Sequence, residues 1–308
     1  MLFPTPARIP ELLRAAFREF RQNDPLRMAA ATAFFTTFAL PPILIIVIQV
    51  FGLFVSRRTV SRHIFSQLAE VLGPNTVEQI RETLRNVRHL PLNWLLATGG
   101  FLFLVFVATT LFKVIKDSLN QLWQIQLKEK QGVLFMLGYR AKSVAIILIG
   151  AVLFLAVLLS EATGVFLQKY DQQLGTLARL LLTGFINQLV SAVVVIAWFT
   201  LVFKFLADAR PGWKTALAGG VFTGLLFTAG KWLLRWLLSY SNMQTIYGAS
   251  TSSVLLLLFV FYCAFMFYYG ACFTKVWAEV NKQPILPSRH AIRYRLHKIE
   301  VDQPNAMP

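Results

Sequence analysis

The chain has 308 residues, of which 56% are hydrophobic and 14% charged, where soluble domains carry roughly 25% charged residues. The 30 Lys and Arg against 14 Asp and Glu leave a net charge of +16. So apolar a chain is neither disordered nor a soluble globule, and two cysteines, Cys263 and Cys272, are too few for a disulfide scaffold.

The expected fold class is all-α: a polytopic membrane helical bundle of six transmembrane helices with cytoplasmic N and C termini. In chain order, residues 1–27 form a cytoplasmic segment built on an amphipathic helix. Within it, Glu11 to Arg21 places Leu13, Ala16, Phe17 and Phe20 on one face, with Arg14, Arg18 and Arg21 beside it. That pattern suits either an interfacial helix on an anionic leaflet or a helix packed on the protein's own loops. Asn23, Asp24 and Pro25 mark a helix start, with Asp24 as cap and Pro25 first in the helix.

The transmembrane domain spans 28–275, with apolar runs at 28–55, 92–112, 143–167, 180–205, 215–239 and 251–274. Each is long enough to cross about 30 Å of hydrocarbon as a helix. Pro41 and Pro42 in the first run remove the bonds to the Thr37 and Phe38 carbonyls, so a helix break or kink is expected there, eased by the Thr36 and Thr37 hydroxyls. Broken helices of this kind form binding sites in transporters, although plain proline kinks are common.

The outer loop, 56–91, repeats apolar residues every three or four positions: Val60, Ile64, Leu68 and Val71, then Val77, Ile80, Leu84 and Val87 after Gly73 and Pro74. Two amphipathic helices are expected, covering the bundle's own outer mouth in preference to docking on a partner or on lipid. After the second run, Asp117 and Asn120 lie one turn apart among Lys113 and Lys116, as an inner polar cap or gate.

Charges inside the apolar runs require a reason. Glu161 in the third run and Lys231 and Arg235 in the fifth fall near the outer end, and Glu161 is expected to pair with Lys231 or Arg235. Such a cationic site suits an anionic group such as a lipid phosphate; the alternative is that both cations snorkel to the outer headgroups. In the fifth run, Ala216, Gly220 and Gly224 recur every fourth residue beside Gly219, a signal for close helix packing. The last run is crowded with aromatics, and its two cysteines are too far apart along one helix to bridge.

The tail, 276–308, is basic, carries four prolines and is expected to be partly disordered. Sidedness follows from the basic residues, twenty of the 30 falling in the segments assigned to the cytoplasm. The charged first 27 residues and the long run after them argue for a first helix that is its own insertion signal and not a cleaved one.

Several strings together resemble the YihY/virulence factor BrkB family of six-span bacterial inner-membrane proteins, long labelled ribonuclease BN. They are AAATAFFTTFALPPIL from Ala29, DSLNQLW from Asp117, RPGWKTALAGG from Arg210, and the pair Tyr247 and Gly248. At Gly270 and Ala271 the family continues with Glu, where this chain has Cys272. The resemblance implies an envelope protein linked to serum resistance, and lipid movement is one activity suggested for it.

A ribonuclease would require metal ligands or an acid/base pair in water. The histidines, His63 and His89 in the outer loop and His290 and His297 in the tail, lack metal-ligand spacing. The expectation is therefore a non-enzyme without cofactor or nucleic-acid partner. It resides in the inner membrane, contacts membrane lipids and handles an envelope lipid or other amphipathic anion as a transporter. A non-transporting scaffold acting through the outer-loop helices is the rival reading. No P-loop for ATP is visible.

Overall fold

The structure is a computed structural model that describes residues 9–51, 56–88, 94–128, 186–240 and 251–294. The described residues are mostly helical. Eight helices run in the order α1 (Ile9–Gln22), α2 (Pro25–Phe51), α3 (Arg57–Leu72), α4 (Pro74–Arg88), α5 (Trp94–Leu122), α6 (Ile186–Phe205), α7 (Trp213–Tyr240) and α8 (Thr251–Val280). Four short strands are added to the expected all-α architecture: β1 (Ile125–Leu127), β2 (Ala209–Arg210), β3 (Leu286–Pro287) and β4 (Ala291–Arg293).

α8 is the central post, packing against α1, α2, α5 and α7, while α6 packs on α7. α7 and α8 contain the stretches Trp213–Leu233 and Ser253–Val280, each apolar and long enough to cross a membrane. The apolar part of α6, Leu189–Phe205, is shorter. The third expected run, 143–167, with Glu161, lies outside the described residues, as do residues 1–8 and 295–308.

The bundle has two unlike ends. At one end α3 and α4 form a hairpin of helices. Ser56 caps α3 by accepting a hydrogen bond from the Thr59 backbone at 3.2 Å, and Gly73 turns the chain at φ 82°, a conformation open to glycine. Val60, Ile64, Phe65, Val77, Ile80 and Leu84 are buried in one cluster with Leu44 and Ile48 of α2 and Leu256 and Val260 of α8. The apolar faces of α3 and α4 thus cover the bundle itself.

At the other end lie α1, the α5 and α6 termini, and the chain after α8. Gln124 and Lys282 adopt positive φ, 56° and 54°, and stop α5 and α8 ahead of the strands. After α8 the Gln283 amide donates to the Ala278 carbonyl and the Lys282 amide to Glu279, a Schellman-type stop built without glycine. β4 then pairs antiparallel with β1, and β3 with β2. Residues 281–294 are therefore built into the fold, and 295–308, the rest of the tail expected to be partly disordered, lie outside the described residues. Ile285 and Ala291 reach the main core, and the strands use the backbone groups that would otherwise need water.

α2 runs as one α-helix through Pro41 and Pro42, so of the break or kink expected there, the break does not occur. Thr37 directs its hydroxyl to the Ala33 carbonyl at 2.8 Å, so it does not serve the carbonyls that the prolines leave open. α2 begins at Pro25 as the sequence indicates, although Asp24 sits at φ 50°.

Candidate functional site

The densest polar cluster among the described residues lies where α5 ends and the α6–α7 link begins. Lys116 and Asn120 are four apart on α5 and so share a face. Both are buried, and both point at Asp208, which sits in the link beside β2. The Asn120 side-chain amide donates to Asp208 Oδ2 at 2.8 Å, and its Oδ1 accepts from the Asp208 backbone N–H at 2.9 Å. Lys116 Nζ lies 2.7 Å from the same Oδ2, with the two side chains 7% and 6% exposed. The Asp208 carbonyl in turn accepts from the Ser288 amide at 2.9 Å, which attaches the tail. One carboxylate therefore ties α5, the α6–α7 link and the chain after α8 together.

Asp117 is separated from this cluster. One residue beyond Lys116, it is rotated roughly 100° around the helix and its side chain is exposed. Partial desolvation raises its carboxyl above the ordinary aspartate range, outweighing the opposite pull of Lys113 and Lys116. The expected pair Asp117 and Asn120 thus divides: Asn120 joins the buried cluster and Asp117 does not.

Two further buried links surround it. Trp123 Nε1 donates to the Ala271 carbonyl of α8 at 3.0 Å. Thr32 of α2 and Tyr268 of α8 share a hydrogen bond of 2.6 Å between their hydroxyls. Lys275 of α8 also pairs with Glu19 of α1. Among the described residues, no cluster of three or more His, Cys, Asp or Glu could hold a metal.

The small-residue stripe of α7 sits where helices touch. A Cβ on Gly220 would stand 2.0 Å from Thr200 Oγ1 and 2.9 Å from the Ile196 carbonyl of α6, and one on Gly224 2.8 Å from Ile196 Cγ1. A Cβ on Gly219 would likewise collide with Thr274 of α8, and one on Gly270 of α8 with Thr223 of α7. Ala216 is fully buried. The glycines let α7 approach both neighbours, and the threonines fill the space so made.

At the opposite end of α7, Lys231 is half-buried with Nζ 5.7 Å from the centroid of Phe227. Trp232 and Leu233 beside it are exposed. Lys231 is roughly 27 Å along the helix from Trp213 at 1.5 Å per residue, so it falls in the last turn of the apolar stretch. Arg235 is one turn further on in α7. The partner expected for them, Glu161, lies outside the described residues, as do Tyr247 and Gly248.

Asp208 is the residue that sequence reasoning missed. Its signal was available: it is the one acid in the basic link 206–214, where a lone carboxylate among cations invites a structural partner.

Comparison with known proteins agrees with the motifs. The model of the family described as Virulence factor BrkB matches residues 16–293. A UPF0761 membrane protein of Saccharophagus degradans is 24% identical over 263 residues, 85% of this chain and 58% of its own length. One from Pseudomonas aeruginosa is 26% identical over 268 residues, covering 85% of this chain and 61% of its own. One from Stenotrophomonas maltophilia is 25% identical over 274 residues, covering 88% and 62%. The chain therefore spans about three fifths of the length of these relatives. No solved structure matches it. The chain belongs to the Virulence factor BrkB family.

Proposed function

We propose that this member of the BrkB family is a multi-pass protein of the bacterial inner membrane that handles an anionic, amphipathic envelope lipid at its outer end. On this reading it has six transmembrane helices, both termini lie in the cytoplasm, and it is not an enzyme. The observation that carries it is the pair of cations one turn apart at the far end of α7, Lys231 and Arg235, with the exposed apolar side chains of Trp232 and Leu233 between them. A charge retained where an apolar span ends, flanked by side chains that favour acyl chains, suits a lipid phosphate. Support for the sidedness comes from the other end, where Lys204, Arg210 and Lys214 lie in and beside the α6–α7 link and Arg14, Arg18 and Arg21 lie on α1.

Reconstitution tests it. Vesicles holding the full chain and a labelled anionic phospholipid should translocate that lipid faster than protein-free vesicles. Replacing Lys231 and Arg235 together by Gln should slow this at least about tenfold, the loss of roughly one ionic contact. Equal rates in vesicles with and without protein would overturn the transport reading, and would leave the cations as headgroup anchors.

The rival reading, a scaffold acting through the outer-loop helices, draws on the polar faces of α3 and α4, where Arg57, Arg58, Arg62, Glu78 and Glu82 are exposed. The apolar faces are already used against α2 and α8, so a partner would meet charges. A stable copurifying partner together with no lipid movement would favour the scaffold.

A further inference from the structure

We propose that α1 is a lipid-reading surface: Arg14, Arg18 and Arg21 bind anionic phospholipid headgroups of the leaflet on the side of the chain termini, and Phe17 enters the acyl boundary beside them. This site is separate from Lys231 and Arg235 and rests only on the membrane reading, not on transport.

The argument starts from what holds α1. Leu12 and Ala16 are buried against Phe273, Val276 and Trp277 of α8 and Ala218 of α7. Phe20 packs edge-on against Phe265, with ring centroids 4.7 Å apart. Tyr269 donates its hydroxyl to the Leu13 carbonyl at 3.2 Å, and Glu19 pairs with Lys275. The helix is thus fixed to the bundle, and the one acid in its last three turns is already neutralised from within the protein.

Around the helix at roughly 100° per residue, Phe17 lies at the edge of the buried stripe, and Arg21, Arg14 and Arg18 follow within about the next 100°. Packing leaves that edge open. Phe17 is 54% exposed although its ring touches Tyr269 edge-on at 6.2 Å. The three arginines are exposed, and among the described residues no ion pair includes them. An exposed phenylalanine adjoining a row of unneutralised arginines on an immobile helix is the pattern of an interfacial helix, and its charge complements an acidic leaflet.

Depth along the bundle agrees. α1 shares a buried cluster with Ala218 of α7, and Phe222 packs at its edge, roughly one and a half to two and a half turns from Trp213. Trp213 is 59% exposed and carries Lys204 over its ring at 5.2 Å. An exposed Trp with a neighbouring Lys at the start of an apolar span is the usual marker of the headgroup level. α1 therefore lies at the level where headgroups meet acyl chains.

The test uses the full chain in lipid nanodiscs of phosphatidylcholine, with or without phosphatidylglycerol. A nitroxide is placed at position 17 through Phe17→Cys, or at exposed position 15 through Ala15→Cys, and oxygen and nickel accessibility are read. With anionic lipid, position 17 should favour oxygen and position 15 nickel. Replacing Arg14, Arg18 and Arg21 by Gln should weaken phosphatidylglycerol selectivity roughly a hundredfold, as three cations near an anionic surface imply, while triple Lys variants retain most of it. Inorganic phosphate should not compete. The proposal is overturned if position 17 is nickel-accessible with both lipids, if the Gln variants behave like the parent, or if phosphate displaces the effect. Unchanged circular dichroism shows that the variants remain folded, and lipid translocation can fail without affecting this result.

Discussion

The two ends of the bundle are fastened by different physics. The α3–α4 cap is held by aliphatic side chains from Val60 to Leu84 against α2 and α8, contacts that are non-directional and tolerant of small shifts. The opposite end adds directional links to its apolar core: Asp208 with Lys116 and Asn120, Trp123 with the Ala271 carbonyl, and two short antiparallel ladders. Directional buried links fix one arrangement and penalise partial opening, because each partner left behind is a desolvated polar group. An end built this way stays closed, whereas a greasy cap can slide. If the molecule changes shape, the difference places the movement at the cap.

The largest test breaks the polar end. Asp208→Ala takes the carboxylate away from buried Lys116 and the acceptor away from Asn120, and should cost about 3–5 kcal/mol. In thermal unfolding of the detergent-solubilised chain, this should be the most destabilising of the variants considered. Adding Lys116→Met should recover a good part of the loss, since a buried charge that has lost its carboxylate is then gone. Equal melting of the single variant and the parent would mean that the ionic cluster does not fasten this end.

At the cap, Leu84→Ala should cost less, about 2–3 kcal/mol, as the removal of a buried side chain whose neighbours can relax. The sharper prediction concerns where the effect appears. Hydrogen exchange should accelerate in α3 and α4 and leave α5 and the tail strands unchanged, while Asp208→Ala should do the reverse. If both variants loosen the whole bundle alike, the two ends are not independently fastened.

The cap was legible in the sequence because its signal is periodic. Val60, Ile64 and Leu68, then Val77, Ile80 and Leu84, mark two helices and the face each buries, and Gly73 with Pro74 marks the turn. The glycine stripe of α7 was equally direct, since a missing side chain every fourth residue implies a close neighbour even before that neighbour is known. The polar end was not legible in the same way. Asn120 and Asp208 are 88 residues apart in the chain, and no local pattern joins them. The strands are two or three residues long, too short to alternate, and Ile285 and Ala291 are single apolar residues in a segment whose prolines and charges imply disorder. For α2, proline counting indicates missing rungs but not whether the helix continues past them, as it does here.

The smallest effect separates two residues one turn apart. Asn120 is locked into the polar end, whereas Asp117 is exposed near the C-terminus of α5, where a negative charge opposes the helix dipole. Its carboxyl is raised from the ordinary 3.8 by desolvation, so the folded chain holds that proton more tightly than the unfolded one. The contribution of Asp117 to stability is then most favourable when protonated and is lost as pH rises from the ordinary value through the raised one. Asp117→Asn removes the ionisation. The variant should melt slightly above the parent at neutral pH, and the gap should close as pH is lowered toward about 4. Asn120→Asp should do the opposite at neutral pH, melting well below the parent, because it places a second carboxylate against Asp208 in a buried site with one lysine to share. A parent and Asp117→Asn variant that melt together at every pH would show that this carboxyl carries no cost, and a variant that melts lower would show that Asp117 also supports the polar end.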